Sequence, residues 1–250
     1  MSGYLSGLVS VSFRRHTPRE ILEAMKGAGL SYIEWGSDVH APCHDKGRLE
    51  ELVALQHEYG VSCSSYGTYF KLGKHAVSEL SDYISAARTL GTDILRLWCG
   101  TKSGAEMDGQ ERDALLADCK AAATLAEKEG VILCMECHQK TFTENPSDAI
   151  WLMERVNSPY FRMYWQPFQW QTPEENEKSA ATIAPYGVHL HVFNWNGKET
   201  LPLSEAVEEW QRYLSFFPAP RALLLEFMPN GTLEELPAEA DALRRIIGGL

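Results

Sequence analysis

The 250-residue sequence lacks both the long apolar run of a membrane protein and the cysteine density of a disulfide-stapled one. A membrane-spanning helix needs roughly 20 apolar residues, whereas Val131–Met135 is typical of the longest runs here. Six cysteines in a chain of this length do not form a disulfide scaffold. No basic residue precedes the apolar stretch near the N-terminus, as a secretory signal would require. These absences predict a cytoplasmic protein with free thiols and no membrane partner.

Positive charge is also scarce, because 23 Lys and Arg stand against 34 Asp and Glu, for a formal net charge of −11. Sequence-independent binding of nucleic acid depends on Lys and Arg that neutralise phosphates, so we expect no nucleic-acid partner. No G-x-G-x-x-G follows the first apolar strand and no G-x-x-x-x-G-K-[ST] occurs. The C-x-x-C of Cys134 and Cys137 lies on a strand-like run, where side chains three residues apart point to opposite faces. A redox motif is therefore not expected.

The sequence does contain eight apolar, strand-like runs that alternate with helical stretches. The predicted strands are Leu8–Phe13, Tyr32–Trp35, Val61–Tyr66, Ile94–Trp98, Val131–Glu136, Arg162–Trp165, Val188–Phe193 and Ala222–Phe227. The predicted helices are residues 17–28, 47–59, 77–90, 111–129, 147–156, 173–184, 203–216 and 233–247. Thr17-Pro18 followed by Glu20 is a helix-start signal, and Gly29 is suited to a left-handed helix cap.

Eight units in this length are about 31 residues each, the size of one strand–helix step. Alternating strands and helices predict a parallel sheet. Eight such units close most economically into a single-domain (β/α)8 barrel, a TIM barrel, over residues 1–250. An open doubly wound α/β sheet is the alternative. No linker or low-complexity segment indicates a domain boundary.

In a barrel of this kind, functional groups lie at the C-terminal ends of the strands. Glu136, His191 and Glu226 hold that position on three of the last four predicted strands. A charge there is costly unless it faces inward and is partnered. Two carboxylates and an imidazole at one mouth are typical of a divalent-metal site. Separate carboxylates with ordinary ion-pair partners are the alternative.

Other polar and aromatic residues also follow predicted strands. Glu34 and Arg96 occupy inward-compatible positions, so we expect them to pair, with Arg96 available to orient Glu136 or substrate. His189 lies one layer deeper than His191 and is expected to be a hydrogen-bonded core residue. Five tryptophans lie near strand ends and could face a sugar or pack in the core. They are Trp35, Trp98, Trp165, Trp170 and Trp195.

Five segments of the sequence resemble segments of one known group of barrel proteins, and they occur in the same order along the chain. Residues 135–146 read M-E-C-H-Q-K-T-F-T-E-N-P, similar to an E-N-H-x-x-T-x-T-D-x-P pattern. Residues 33–40, 94–100, 189–194 and 224–226 are similar to the ends of strands two, four, seven and eight of the same proteins. The sequence therefore resembles the xylose isomerase-like barrel superfamily, often labelled sugar phosphate isomerase/epimerase.

The resemblance implies a divalent metal, Mn, Mg, Co or Zn, held by Glu, Asp, His and Glu at the ends of strands five to eight. Glu136, His191 and Glu226 match, whereas Gln166 stands where the family has aspartate. A glutamine oxygen can bind a hard cation, but the ligand charge falls from −3 to −2, which favours weaker binding or another metal. Further candidates at the mouth are expected to bind substrate. They are His40, Tyr66, Arg96, Trp98, His138 and Lys198.

Three functions are compatible with this set. The first is a metal-dependent sugar or sugar-derivative isomerase or epimerase acting through a cis-enediolate, with Glu136 and Glu226 as acid and base. The second is a lyase or dehydratase that uses the same site on an oxidised sugar or glycoside. The third is a metal-free carbohydrate-binding barrel without catalysis. The expected partner is a small carbohydrate, and the resemblance also suggests a homodimer.

Overall fold

Eight parallel strands close into a barrel in the computed structural model, which describes residues 4–217 and 222–249. The strands are β1 (Leu5–Val9), β2 (Tyr32–Gly36), β3 (Ser62–Leu72), β4 (Ile94–Cys99), β5 (Ile132–Glu136), β6 (Phe161–Trp165), β7 (Gly187–Val192) and β8 (Ala222–Leu225). Each strand pairs with its neighbours in chain order, and β8 pairs with β1. The predicted (β/α)8 barrel is confirmed, and the open sheet is wrong.

A helix follows every strand and covers the outside of the barrel. The helices are α1 (Pro18–Ala28), α2 (Lys46–Tyr59), α3 (Leu80–Leu90), α4 (Gly109–Glu129), α5 (Pro146–Val156), α6 (Pro173–Ile183), α7 (Val207–Leu214) and α8 (Leu236–Gly248). Thr17 and Glu20 form the predicted capping box of α1, and Gly29 ends it with a φ of 71°. Across residues 4–217 and 222–249, every helix is too short or too polar to span a membrane.

Several predicted boundaries are wrong, among them the C-terminal ends of three strands. β1 ends at Val9, and Ser10–Phe13 form a 3-10 turn whose Ser10 hydroxyl accepts the N–H of Gly36. β3 continues to Leu72, beyond the predicted end at Tyr66, through a register shift after Gly67. β8 ends at Leu225, since Phe227 has a φ of 55°. The helix predicted from residue 203 begins only at Val207.

The buried side chains form two layers on either side of the barrel wall. A large apolar cluster packs between strands and helices, and it contains outward-facing residues such as Leu97 and Trp165. A small cluster fills the barrel interior: Val9, Val11, Cys134, Tyr164, Ala222 and Leu224. Cys134 lies in the inner cluster and Cys137 in the outer one, as expected from their spacing. None of the six cysteines forms a disulfide.

Candidate active site

A buried charged cluster caps the interior apolar layer at the C-terminal end of the barrel. Glu34, Arg96, Glu136 and His191 point inward from β2, β4, β5 and β7, and Glu226 follows β8 directly. None of the five is more than 5% exposed. Because burial of an unpaired charge is costly, the cluster must neutralise itself internally or with a bound group.

Arg96 joins two of the carboxylates. Its Nε donates to Glu34 Oε1 at 2.8 Å, and its Nη1 donates to Glu136 Oε2 at 2.6 Å. The indole N–H of Trp98 donates to the same oxygen of Glu136. Glu136 therefore has one oxygen held by two donors, while Oε1 is directed toward His191. The predicted pairing of Glu34 with Arg96 is present.

His191 lies at the centre of the acidic groups. Its Nδ1 is 3.1 Å from Gln166 Oε1, 3.2 Å from Glu226 Oε2 and 3.5 Å from Glu136 Oε1. Its Nε2 is 3.5 Å from Glu34 Oε1. Both His191 Nε2 and Glu226 Oε2 are buried without a hydrogen-bond partner. Buried polar atoms are rarely left without a hydrogen bond, and these two lie on opposite sides of the ring, with Glu226 Oε2 beside Nδ1 and Nε2 facing Glu34.

The charges of the cluster shift one another's pKa values. Burial by itself would raise the pKa of Glu136, but Arg96 and then His191 lower it to about 2. Burial would lower the pKa of His191, yet the carboxylates of Glu226 and Glu34 hold it well above its usual range. The same cations hold the pKa of Glu34 well below its usual range. The carboxylates of Glu34 and Glu136 are thus kept ionised although they are buried.

A cleft of about 280 Å³ opens above this cluster. Its floor contains Arg96, Glu136, Gln166 and Glu226. Aromatic side chains line the cleft in two groups. Tyr69, Trp98 and His138 come from β3, β4 and the segment after β5, and Phe168, Trp170, Trp195 and Phe227 come from the segments after β6, β7 and β8. A polar floor between apolar walls is typical of a small-molecule site.

The structure brings together most of the residues that the sequence singled out. Arg96, Trp98, Glu136, His138, Gln166 and Glu226 line the cleft, and His191 lies directly beneath it. Of the five tryptophans, Trp98, Trp170 and Trp195 reach the cleft, whereas Trp35 and Trp165 pack in the outer core. His189 binds the carbonyl of Ser64 from the interior layer, as expected for a core histidine.

Three predicted substrate contacts lie outside the lining of this cleft. His40 is buried in the β2–α2 loop, where Nε2 is 3.2 Å from the carbonyl oxygen of His16. Tyr66 points outward from β3 and donates to the carbonyl of Ala41. Lys198 is exposed on the turn after β7. Their positions follow from loop path and strand parity, which the sequence pattern did not resolve.

Sequence reasoning missed Arg14, Tyr69 and Phe227. Arg14 follows the 3-10 turn after β1 and pairs with Asp38 and with the hydroxyl of Tyr69 at the rim of the cleft. Tyr69 lies on the part of β3 beyond its predicted end. The sequence signal that could have identified these residues was their position near the ends of strands. It was missed because the ends of β1, β3 and β8 were predicted wrongly.

The donor set suits a divalent cation chemically. In a complex with bonds of about 2.1 Å, neighbouring donors lie about 3.0 to 3.4 Å apart, close to the separations around His191 Nδ1. Two carboxylates, an amide oxygen and an imidazole also match the donors that Mg²⁺, Mn²⁺ or Zn²⁺ accept. As the side chains stand, however, no group of three or more His, Cys, Asp and Glu residues within residues 4–217 and 222–249 forms a metal site.

A closed parallel barrel with its ionisable residues at the C-terminal mouth is the architecture of TIM-barrel enzymes. The family model described as xylose isomerase-like TIM barrel matches residues 22–222. This chain therefore belongs to the xylose isomerase-like TIM barrel family. A comparison with curated protein sequences finds no match.

Solved structures share the fold over nearly the whole chain. The probable 3-DHS dehydratase AsbF from Bacillus anthracis is 18% identical, with a TM-score of 0.81 over 96% of this chain and 98% of that one. A xylose isomerase-like barrel from Mycobacterium smegmatis in complex with magnesium is 13% identical, with a TM-score of 0.73 over 99% and 97%. D-psicose 3-epimerase from Clostridium cellulolyticum H10 is 13% identical, with a TM-score of 0.71 over 98% and 97%. At these identities the likeness concerns the fold.

Proposed function

We propose that this protein is a metal-dependent isomerase or epimerase of a sugar or sugar derivative. The observation that carries the proposal is the convergence of Glu136, Gln166 and Glu226 on Nδ1 of His191 at the floor of the cleft. Two structural neighbours named D-psicose 3-epimerase and L-ribulose 3-epimerase agree with it. Glu136, Gln166, His191 and Glu226 would hold one divalent cation, Mn, Mg, Co or Zn. The bound cation supplies positive charge that polarises a carbonyl and acidifies the adjacent C–H group.

The two glutamates divide the proton transfer. Glu226 Oε2 is buried at the floor without a hydrogen-bond donor, 3.2 Å from His191 Nδ1, and it would accept a proton from the carbon beside the carbonyl. Glu136 projects from β5, three strands away around the barrel, with Oε2 held by Arg96 and Trp98. Its Oε1 is directed toward His191. Because Glu136 is ionised at rest, it would first take a proton from solvent and then deliver that proton to the intermediate, while Glu226 releases its own to solvent. Return to the neighbouring carbon gives isomerisation, and return to the opposite face gives epimerisation.

A lyase or dehydratase is the second candidate, and His138 favours it. Elimination needs the same proton removal and also an acid that protonates the leaving group. His138 lines the cleft and packs against Trp98, with ring centroids 4.8 Å apart and ring planes tilted by 33°. The similarity to a probable dehydratase is consistent with this reaction.

The first test is metal content. Protein purified without chelator and analysed by plasma mass spectrometry is expected to carry about one equivalent of a divalent metal. Glu226→Ala should lose that metal. Glu239→Gln, a change at a buried carboxyl outside the cleft lining, should keep it and serves as the matched control. A wild-type protein without metal, and without a thermal shift on adding divalent ions, would contradict the proposal and favour a metal-free carbohydrate-binding barrel.

A second test separates the reactions. Ketoses and oxidised glycosides are incubated with the metal-loaded protein in D₂O. An isomerase or epimerase exchanges the hydrogen beside the carbonyl for deuterium and gives an isomer of the substrate that differs in composition only by this deuterium. A lyase gives an unsaturated product with new ultraviolet absorbance. If deuterium is exchanged but neither an isomer nor an unsaturated product forms, the protein catalyses proton transfer on these compounds without completing either reaction. A cytoplasmic location and a homodimer stay predictions.

A further inference from the structure

We propose that Glu34 is a positioning residue that fixes the ring of His191 so that Nδ1 faces the cleft. The inference rests on the proposed function and adds a residue that touches neither the cleft nor the proposed cation. Glu34 is absent from the cleft lining and is fully buried beneath it. Its role would be exerted through His191 alone.

The geometry around the imidazole sets this role. Glu34 Oε1 lies 3.5 Å from His191 Nε2, on the side of the ring away from Gln166 and Glu226. Nε2 is buried and has no hydrogen-bond partner. An imidazole that presents one nitrogen to a cation usually donates the other N–H to a carboxylate or carbonyl, which fixes the tautomer and the ring orientation. Glu34 is the carboxylate that faces Nε2.

Glu34 is itself held rigidly. Arg96 Nε donates to Oε1 at 2.8 Å, and the Ser65 hydroxyl donates to Oε2 at 2.9 Å. The hydroxyl of Tyr164 donates in turn to Ser65 Oγ at 2.7 Å. Each oxygen of the carboxylate therefore has a donor contributed by a different strand. A carboxylate fixed in this way can hold the ring with little loss of side-chain entropy.

The backbone leaves a space for the same carboxylate. A Cβ atom placed on Gly67 would lie 2.5 Å from Glu34 Oε1 and 2.8 Å from Arg96 Nη2. Such separations are well inside van der Waals contact. Gly67 lies on β3 next to Arg96 on β4 in the sheet register. The absence of a side chain at this position thus makes room for the Glu34–Arg96 pair.

The test measures binding of Mn²⁺ alone, followed by the electron paramagnetic resonance signal of the free ion. Glu34→Gln should weaken affinity about 10- to 100-fold, because an amide can donate as well as accept and no longer fixes one ring orientation. Ser65→Ala keeps every charge in place and should weaken affinity by a smaller factor. Glu239→Gln, a second buried carboxyl outside this cluster, should leave Mn²⁺ affinity unchanged.

A second readout reports on the ring directly and needs no metal. Long-range ¹H–¹⁵N spectra of histidine-labelled protein give the two ring nitrogen shifts of His191, assigned by their loss in His191→Gln. These shifts should move in Glu34→Gln and Ser65→Ala and stay in place in Glu239→Gln. Because Ser65→Ala leaves the ion pair intact, it keeps the test available if Glu34→Gln fails to fold.

The outcomes separate the two proposals. If wild type binds Mn²⁺ and the folded Glu34 and Ser65 variants bind it equally well with unchanged His191 shifts, the positioning role is wrong and the proposed function stands. If wild type binds neither Mn²⁺ nor Mg²⁺, Co²⁺ or Zn²⁺, the proposed function is contradicted. The nitrogen shifts then decide whether Glu34 positions His191.

Discussion

The shell between strands and helices differs from the C-terminal mouth of the barrel in what it buries. Leu97 points into the shell among large apolar groups, while its neighbour Arg96 on the same strand points to the mouth and pairs with Glu34 and Glu136. Burial of apolar area stabilises the fold, whereas burial of charges costs free energy unless they are paired. Apolar burial in the shell can therefore offset the free-energy cost of burying charges at the mouth.

The same contrast occurs along one strand at the mouth. His189 and His191 both face the interior from β7, and both contact the ring of Tyr164. His189 is hydrogen-bonded to the carbonyl of Ser64, whereas His191, two residues closer to the mouth, is surrounded by carboxylates. Depth in the barrel, more than residue type, decides which histidine can take part in chemistry.

The largest effect is expected from Glu226→Gln. The change removes the negative charge beside His191 Nδ1 while keeping the shape of the side chain, so kcat should fall at least about 100-fold. The melting temperature should fall only modestly, since both ion pairs of Arg96 are kept and only the pair of Glu226 with His191 is lost. Both are measured on the same preparation by solvent deuterium exchange and calorimetry. Near-wild-type turnover would remove Glu226 from the acid/base assignment.

Leu97→Ala should show the opposite profile. It removes buried methyl groups from the shell, and the free energy of unfolding should fall by about 2–5 kcal/mol. Urea unfolding measures the loss. Metal affinity of the molecules that remain folded should be unchanged, because the mouth is on the other side of the strand. A loss below about 1 kcal/mol would show that the shell repacks more freely than its burial indicates.

A buried carboxyl outside the mouth gives a pH test. Glu239 accepts the N–H of Leu203 but faces no cation at this contact, and burial raises its pKa to about 7. The folded protein then binds the extra proton between about pH 4.5 and pH 7, so the free energy of unfolding falls as pH rises through that range. This loss of folding stability is absent below about pH 4.5 and complete above about pH 7.

Glu239→Gln should remove this dependence, which amounts to about 1–2 kcal/mol at pH 8 because solvent screens part of the effect of burial. The measurement is urea unfolding of both proteins from pH 5 to pH 8, and the difference between them isolates the single carboxyl. Parallel curves would show that the group ionises normally in the fold. Glu136 provides the contrast, because its cationic neighbours lower its pKa to about 2.

The smallest effect is expected from Gln166→Asp. The change adds a third negative group beside His191 Nδ1, and under the proposed function Mn²⁺ affinity should tighten by at least about tenfold. Titration calorimetry with MnCl₂ measures it. Gln166→Asn, which keeps the amide and shortens the side chain, is the matched control and should not tighten binding. Unchanged affinity in the aspartate variant would show that residue 166 does not bind the cation.

Strand number, helix order and caps were predictable because they depend on local patterns. The Thr17–Glu20 capping box and the alternation of Arg96 with Leu97 need only the sequence near each residue. The ends of β1 and β3 were not predictable, because the 3-10 turn at Ser10 and the register shift after Gly67 depend on contacts between strands. Arg14 and Tyr69 were missed for that reason.

By itself, the sequence determined the barrel and the acidic residues at its strand ends. Along a strand, every second side chain points into the barrel. A closed parallel barrel also brings the C-terminal ends of all its strands to one mouth. Only the tertiary structure decided that Arg96 bridges Glu34 and Glu136, and that His40 and Tyr66 turn away from the cleft. Those outcomes depend on loop path and on distances across the barrel, which no local pattern encodes.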